Sequence, residues 1–314
     1  QEGFEHAVRE HISSVLSRSG LNETVTFSFM NNESLQKLLF EEGNVHYTAV
    51  PILNPITEEF PLMRTTLLPS LMEVLVRNQA VKNDAVGIYE IAATYRPKAL
   101  PITELPAEET EVAGLIYGKR HRANWPYTAE DYDFYDVKGL VEVVLDSLGI
   151  EAGLQISDYA PLHPGKAAEY VKDGKVLCRF GELHPEAVDN YDIAGPVYIF
   201  EMYLKNILPL VNLIPDYHKV GKFPALTRDL AVLVPISTRH EDILAVIREK
   251  GGKNLEGVHL FDMYAGEQVP RGYVSLAFAL TFRSAEGTLS DEDIQEPIQG
   301  ILDELQEKLG AKLR

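Results

Sequence analysis

"FDMYAGEQVPRGYVSLAFALTFRS", residues 261–284, decides the fold of the last third of the chain. Two apolar, alternating runs flank a Gly- and Pro-bearing segment, so the stretch reads as strands at about 256–264 and 273–283 joined by a loop. Upstream, "ALTRDLAVLVP" (225–235) is a strand, and "TRHEDILAVIREKGG" is a helix with Thr238 and Glu241 in capping-box spacing and a glycine pair at its end. Downstream, "SDEDIQEPIQGILDELQEKLG" is a helix N-capped by Ser290, and "AKLR" is a final strand. Pro297 should kink that helix or delay its start. The order is β-α-β-β-α-β, the split, ferredoxin-like unit. Its helices cover one sheet face and leave the other open.

The open face frames a question about Tyr264, followed as it is by Gly266 and Arg271. A tyrosine at a strand end is either edge packing or a flat platform for a nucleobase. Asp262 shares its strand, Arg228 and Asp229 lie in the first strand, and Ser275 and Arg283 lie in the third. An aromatic with small polar groups and arginines suits single-stranded RNA, each stacked base contributing about 1–3 kcal/mol. Aromatics and arginines equally mark protein interfaces.

The first two thirds mix strands and helices irregularly. Residues 4–19 place Phe4, Val8, Ile12 and Leu16 on one helical face, with Gly20 as the stop. "TVTFSFM" (24–30) and "YTAVPILN" (47–54) read as strands around a short helix near 33–40, and a further helix starts from about Thr66, Pro69 in its first turn. Strands follow at 86–95 and 109–118, then the helix "DFYDVKGLVEVVLDSLG", a hairpin turning at Asp173-Gly174, and the strand "GPVYIFEMYL". This is an α+β domain around a mainly antiparallel sheet. Pro- and Gly-bearing sequence after residue 211 reads as a linker.

Length and composition suit two soluble domains: 314 residues, 45% hydrophobic and 24% charged. No apolar run is long enough to span a membrane, and the N-terminus lacks the layout of a signal peptide. The chain opens almost directly into a helix, as if cut from something longer. The single cysteine, Cys178, points to a reducing, cytoplasmic setting. The net charge of −18 argues against general affinity for nucleic acid. It is unevenly spread, however. Residues 218–314 hold 12 Lys+Arg against 15 Asp+Glu, and residues 218–289 hold 9 against 8, so the C-terminal part is the one that tolerates a polyanion.

Other candidates carry less. His163 and His184 both precede proline with Glu182 and Glu186 nearby, but no third ligand completes a metal site and a conformational role is favoured. Asp131, Asp133 and Asp136 read as helix initiation rather than a cation site. No hydrolase, zincin or P-loop motif occurs. Arg64 and Arg96 could clamp a phosphate, although a lone arginine at a strand end is ordinarily surface charge.

"FPALTRDLAVLV", the 261–284 stretch and the closing helix resemble the ferredoxin-fold anticodon-binding domain that ends the bacterial phenylalanine–tRNA ligase β subunit. "NPITEEFPLMRTTLLPSLMEVLVRN", "IYEIAATYRP", "DFYDVKG", "LHPGKAA" and "GELHPE" resemble that subunit's synthetase-like domain, in order and over nearly the whole chain. The resemblance implies three segments: residues 1–211, a class II synthetase-like antiparallel sheet with flanking helices and no catalytic residue; 212–221, a linker; and 222–314, the anticodon-binding domain. It implies pairing with the α subunit in an (αβ)2 heterotetramer through the first helix and the strand after it. ATP and Mg2+ would be used by the whole enzyme, none bound by this fragment, which would neither aminoacylate nor edit. By position, Tyr264 matches the aromatic that stacks on an anticodon base of the phenylalanine tRNA. Asp262 and Ser275 fall at polar anticodon contacts, and Arg228, Arg271, Arg283 and Lys222 are candidates for phosphate or sugar. The alternative is a stand-alone structural or RNA-binding module without a ligase role.

Overall fold

The computed structural model describes residues 2–55, 57–121, 124–126, 128–214, 217, 219–266 and 268–313. The chain divides into two compact units, Gln1–Pro215 and Asp216–Arg314. The expected linker, 212–221, includes residues 215, 216 and 218, which lie outside the described residues.

In the first unit, β1 (Asn22–Glu23), β4 (Ala85–Arg96), β5 (Ala107–His121), β7 (Gly153–Ile156), β8 (Leu162–Lys172), β9 (Lys175–Leu183) and β10 (Val197–Tyr203) form one sheet in the order β1-β4-β5-β10-β9-β8-β7. A short β6 (Glu130–Asp131) pairs with β5, and β2 (Phe29–Met30) with β3 (Leu62–Met63) makes a separate two-stranded sheet. All pairings are antiparallel except that of β1 with β4. The Asp173-Gly174 turn joins β8 to β9 with positive φ at both residues (52° and 72°), the geometry that Asp-Gly is suited to.

Helices α1 (Glu2–Arg18) and α4 (Phe134–Ser147) pack on one face of the large sheet; α2 (Asn32–Lys37), α3 (Leu68–Ala80) and α5 (Pro185–Asn190) pack on the other, while α6 (Leu204–Ile207) follows β10. Strand alternation sorts the two cores. Tyr198, Phe200 and Met202 of β10 meet Val8, Ile12, Leu16 and Val141, whereas Val197 and Ile199 meet Leu71, Leu75 and Val188. The Asp133 carboxylate accepts from the backbone N–H of Tyr135 and Asp136, and the Asp136 carboxylate accepts from the N–H of Asp133, so these acids close a capping box at the start of α4.

Two expected strands form only in part; of 24–30 only Phe29–Met30 is strand, as β2. Residues 24–28 leave the ladder because the Glu90 carboxylate takes the backbone N–H of Thr26 (3.1 Å) and its hydroxyl (2.7 Å), in place of a strand partner. Residues 47–54 contribute only a bridge between Pro51 and Leu62, after a 3-10 turn at Val45–Tyr47.

The second unit contains β11 (Leu226–Pro235), α7 (His240–Lys250), β12 (Leu255–Tyr264), β13 (Tyr273–Phe282), α8 (Asp291–Leu309) and β14 (Lys312–Leu313). The sheet order is β12-β13-β11-β14, all antiparallel. Leu230, Val232 and Val234 with Phe278, Leu280 and Phe282 face Ile243 and Ile247 of α7 and Ile294, Ile301 and Leu305 of α8. Both helices therefore cover one face, and among the described residues of this unit no helix covers the other. Thr238 does not cap α7: its N–H donates to the Pro235 carbonyl in a turn, and Arg239 occupies the cap position. Nor does Pro297 delay α8, which begins at Asp291 and carries the proline inside it.

Candidate nucleic-acid interface

Register assigns the open face of the second unit residue by residue, because directly paired residues point to the same side. Ser275 pairs with Tyr264 on one side and Leu233 on the other; Ala277 pairs with Asp262 and Ala231; Ala279 pairs with His259 and Asp229. The floor is small at Ala231, Ala277, Ala279 and the buried Ser275, while Tyr264, Asp262 and His259 on β12 and Leu233 on β11 stand taller. Small residues let a flat ligand lie close to the backbone, which is what a base-stacking surface requires.

Tyr264 ends β12 and folds back over Gly266. A β-carbon at position 266 would overlap the tyrosine ring, so glycine is what lets the ring lie there. Tyr264 keeps 37% of its surface. Asp262 lies two residues away on the same face, after a bulge at Phe261 that resets the alternation of the edge strand. Arg271 is exposed in the turn leading into β13, at the same end as Tyr264 and Ser275.

The remaining three sequence candidates stand apart. Arg283 follows β13 at its far end, about 27 Å from Ser275 at the usual rise per residue. Its Nε donates to both Glu256 oxygens (3.0 and 2.9 Å) and its Nη1 to the Phe223 carbonyl (2.8 Å), which fastens the entry segment to the sheet. Lys222 is exposed in that entry segment. Arg228 is not on the open face. It alternates with Leu230 and Val232 on the helix-covered side and pairs with Asp291 at the first residue of α8. The four residues brought together are Tyr264, Asp262, Ser275 and Arg271.

The same end of the face holds two residues that sequence reading passed over. Tyr273 is two residues before Ser275 on the same side of β13, and Lys312 of β14 pairs with Leu233. The Lys312 ammonium sits 5.0 Å from the centroid of the Tyr273 ring, a cation–π contact. Alternation from Ser275 could have placed Tyr273; Lys312 needed the pairing of β14 on β11.

In the first unit, neither Arg64 nor Arg96 is surface charge, and each already holds a carboxylate. Arg64 is buried, with Nη1 3.1 Å from Glu90 and Nε donating to the Ala93 carbonyl at 2.9 Å. Arg96 Nη2 donates to Glu111 at 2.7 Å. Glu201 accepts from the Thr66 hydroxyl at 2.6 Å, and Arg179 pairs with Glu169 while lying 4.7 Å over the Tyr159 ring. Burial, then repulsion from Glu201, pushes the Glu111 carboxyl up to about 8, and burial raises Glu201 as well. The sheet face that could have offered cations to a phosphate is filled by its own carboxylates. The proline-preceding histidines are structural too: His163 Nδ1 accepts from the Gly165 N–H (2.9 Å), and His184 Nδ1 accepts from the Glu186 N–H (3.2 Å) as the N-cap of α5. Cys178 is fully buried in β9, and burial pushes its thiol up to about 12, which removes it as a nucleophile at neutral pH. Among the described residues, no helix is long and apolar enough to cross a membrane.

Residues 1–204 match the family model described as the phenylalanyl tRNA synthetase beta chain CLM domain, and residues 221–314 match the ferredoxin-fold anticodon binding domain. The phenylalanine–tRNA ligase beta subunit of Clostridium acetobutylicum is 35% identical over 309 residues, covering 98% of this chain and 37% of that protein. The corresponding subunit of Moorella thermoacetica is 36% identical over 314 residues, covering 99% of this chain and 38% of its own length. The chain therefore spans less than two fifths of these curated relatives. Among solved structures, a pyrrolysyl tRNA synthetase from Desulfitobacterium hafniense aligns with 64% of this chain and 66% of its own, at 17% identity and a TM-score of 0.49.

Proposed function

We infer the function of this chain from one premise: it belongs to the phenylalanyl tRNA synthetase beta chain family. We propose that it is the non-catalytic, class II synthetase-like and anticodon-binding part of that subunit. In this reading the first unit pairs with an α subunit in an (αβ)2 enzyme of the cytoplasm. The second unit grips the anticodon of the phenylalanine tRNA. The assembled enzyme joins phenylalanine to that tRNA with ATP and Mg2+.

The observation that carries the reading is the partly exposed Tyr264, its ring lying against Gly266, beside Ser275 and Asp262 on the sheet face opposite α7 and α8. A base laid on that ring would meet a hydroxyl and a carboxylate at its edge, an arrangement suited to unpaired bases. Binding by this unit should be weak, since few cations share the face, and other parts of the enzyme would supply the remainder.

A ligase site of the chain's own is disfavoured by the Arg96–Glu111 pair, which spends the arginine internally. ATP–pyrophosphate exchange by the isolated chain should be absent. The test of the main reading is a titration with the anticodon stem-loop of the phenylalanine tRNA and with a loop of swapped anticodon, at low salt. Preference for the cognate loop, lost in Tyr264→Ala with folding intact, supports it. Equal or absent response to both loops overturns it for this chain.

A further inference from the structure

One register row crosses all four strands of the second unit: Tyr264 pairs with Ser275, Ser275 with Leu233, and Leu233 with Lys312. Three strand spacings put the two ends of the row about 14 Å apart. One end is an aromatic ring and the other an ammonium group, with Ser275 and Leu233 between them. Among the described residues, no Lys or Arg other than Lys312 stands on the open face from a strand: β11 and β12 present Asp229, Asp262 and His259 there, and Arg271 lies in the turn before β13.

Lys312 is also positioned rather than merely exposed. Its ammonium rests over Tyr273, 5.0 Å from the ring centroid, and β14 is tied to β11 on the same row. A cation lying on an aromatic ring is partly desolvated and held over the face, ready to meet an anion approaching from above.

We propose that Lys312, seated on Tyr273, is a phosphate contact for an RNA strand that crosses the sheet from Tyr264 to β14. The inference rests on the anticodon-loop reading above and adds a direction to it: the base at the platform lies over the β12 edge, and the backbone leaves over β11 and β14. Phosphate contact is independent of sequence, whereas stacking and edge contacts at Tyr264 are not. The two ends of the row therefore have separable signatures. Loss of one phosphate contact to a single strand lowers the slope of log affinity against log salt by about 0.7.

The experiment measures binding of the 314-residue chain to the cognate and swapped stem-loops over a series of salt concentrations. Lys312→Ala, Lys312→Arg and Tyr264→Ala are compared with the parent, and thermal melting confirms folding. Lys312→Ala is expected to weaken both loops several-fold by the same factor and to flatten the salt slope. Lys312→Arg should keep the slope, and Tyr264→Ala should keep it while erasing the preference between loops. Binding that depends on Tyr264 but has an unchanged slope in Lys312→Ala overturns this inference alone. Absence of binding by the parent chain overturns the anticodon reading and this inference with it.

Discussion

The ring of Tyr264 lies where the side chain of residue 266 would stand, so Gly266 and Tyr264 form one feature. Gly266→Ala should displace the ring without touching the core, leaving the melting temperature nearly unchanged. Stem-loop affinity should fall towards that of Tyr264→Ala, for which a lost stacking contact of about 1–3 kcal/mol corresponds to roughly 5- to 150-fold. Parent-like affinity in Gly266→Ala would show that the ring's position does not matter to binding.

Arg96 and Glu111 test whether the first unit keeps its buried charges for stability. Above about pH 8, where Glu111 is ionised, Arg96→Met leaves Glu111 and Glu201 buried beside each other without the cation nearest Glu111, and should cost about 3–5 kcal/mol. Adding Glu111→Leu removes the stranded carboxylate and should restore most of that loss. Urea unfolding of the parent, both single variants and the double variant gives the coupling. Additive effects of the two substitutions would contradict a shared buried pair.

Much of this was legible in the sequence, and the failures have specific causes. The β-α-β-β-α-β order follows from alternation and caps alone. Arg228 could also have been placed: Leu226, Arg228, Leu230 and Val232 share one parity, which puts the arginine on the helix side. The first part of the 24–30 strand failed because Glu90, more than sixty residues away, competes for Thr26, and no local pattern announces such a partner. Arg64 and Arg96 read as surface charge for the same reason, since Glu90 and Glu111 reach them only through the folded sheet. Thr238 and Glu241 have capping spacing, but the turn to Pro235 had already taken the Thr238 N–H. The Lys312 row was invisible because it depends on the register of the last strand.

The same polar core sets a pH dependence in which two groups oppose each other. His46 is buried, and burial, then the charge of Arg96, lowers its pKa to about 4. The folded state keeps it neutral while the unfolded chain binds a proton below about 6.5, so its contribution is lost as pH falls from there towards 4, up to roughly 3 kcal/mol. Glu111, pushed up to about 8, has the opposite sign. The folded state holds its proton, the unfolded chain releases it above about 4.5, and stability declines as pH rises to 8. Where the windows overlap the slopes offset, leaving a net decline from about 6.5 to 8. His46→Asn should extend the decline down towards 4.5, and Glu111→Gln should weaken it above 6.5, where the buried Glu201, also raised, acts with the same sign. Urea midpoints across pH 4 to 9 check both signs; a parent protein that gains stability between 6.5 and 8 would reverse the assignment of Glu111.

Val25 and Phe27 bear on the proposed α-subunit contact. They sit in the segment that Glu90 draws away from the ladder, and they keep 89% and 79% of their surface, with Phe27 stacked on Phe29 at 6.2 Å between centroids. Side chains this exposed contribute little to the stability of the chain by itself, so Val25→Ser with Phe27→Ser should shift melting by no more than about 1–2 °C. If the segment after the first helix is where an α subunit docks, the same pair of changes removes two apolar anchors from that interface. Truncating a central aromatic anchor costs about 2 kcal/mol or more, roughly 30-fold in affinity. Co-expression with an α subunit, followed by size-exclusion chromatography and light scattering, should then yield a free, folded β chain in place of a complex. An intact complex from the double variant would move the docking site elsewhere on the first unit, whereas a chain that no longer melts cooperatively would show that Val25 and Phe27 serve the fold.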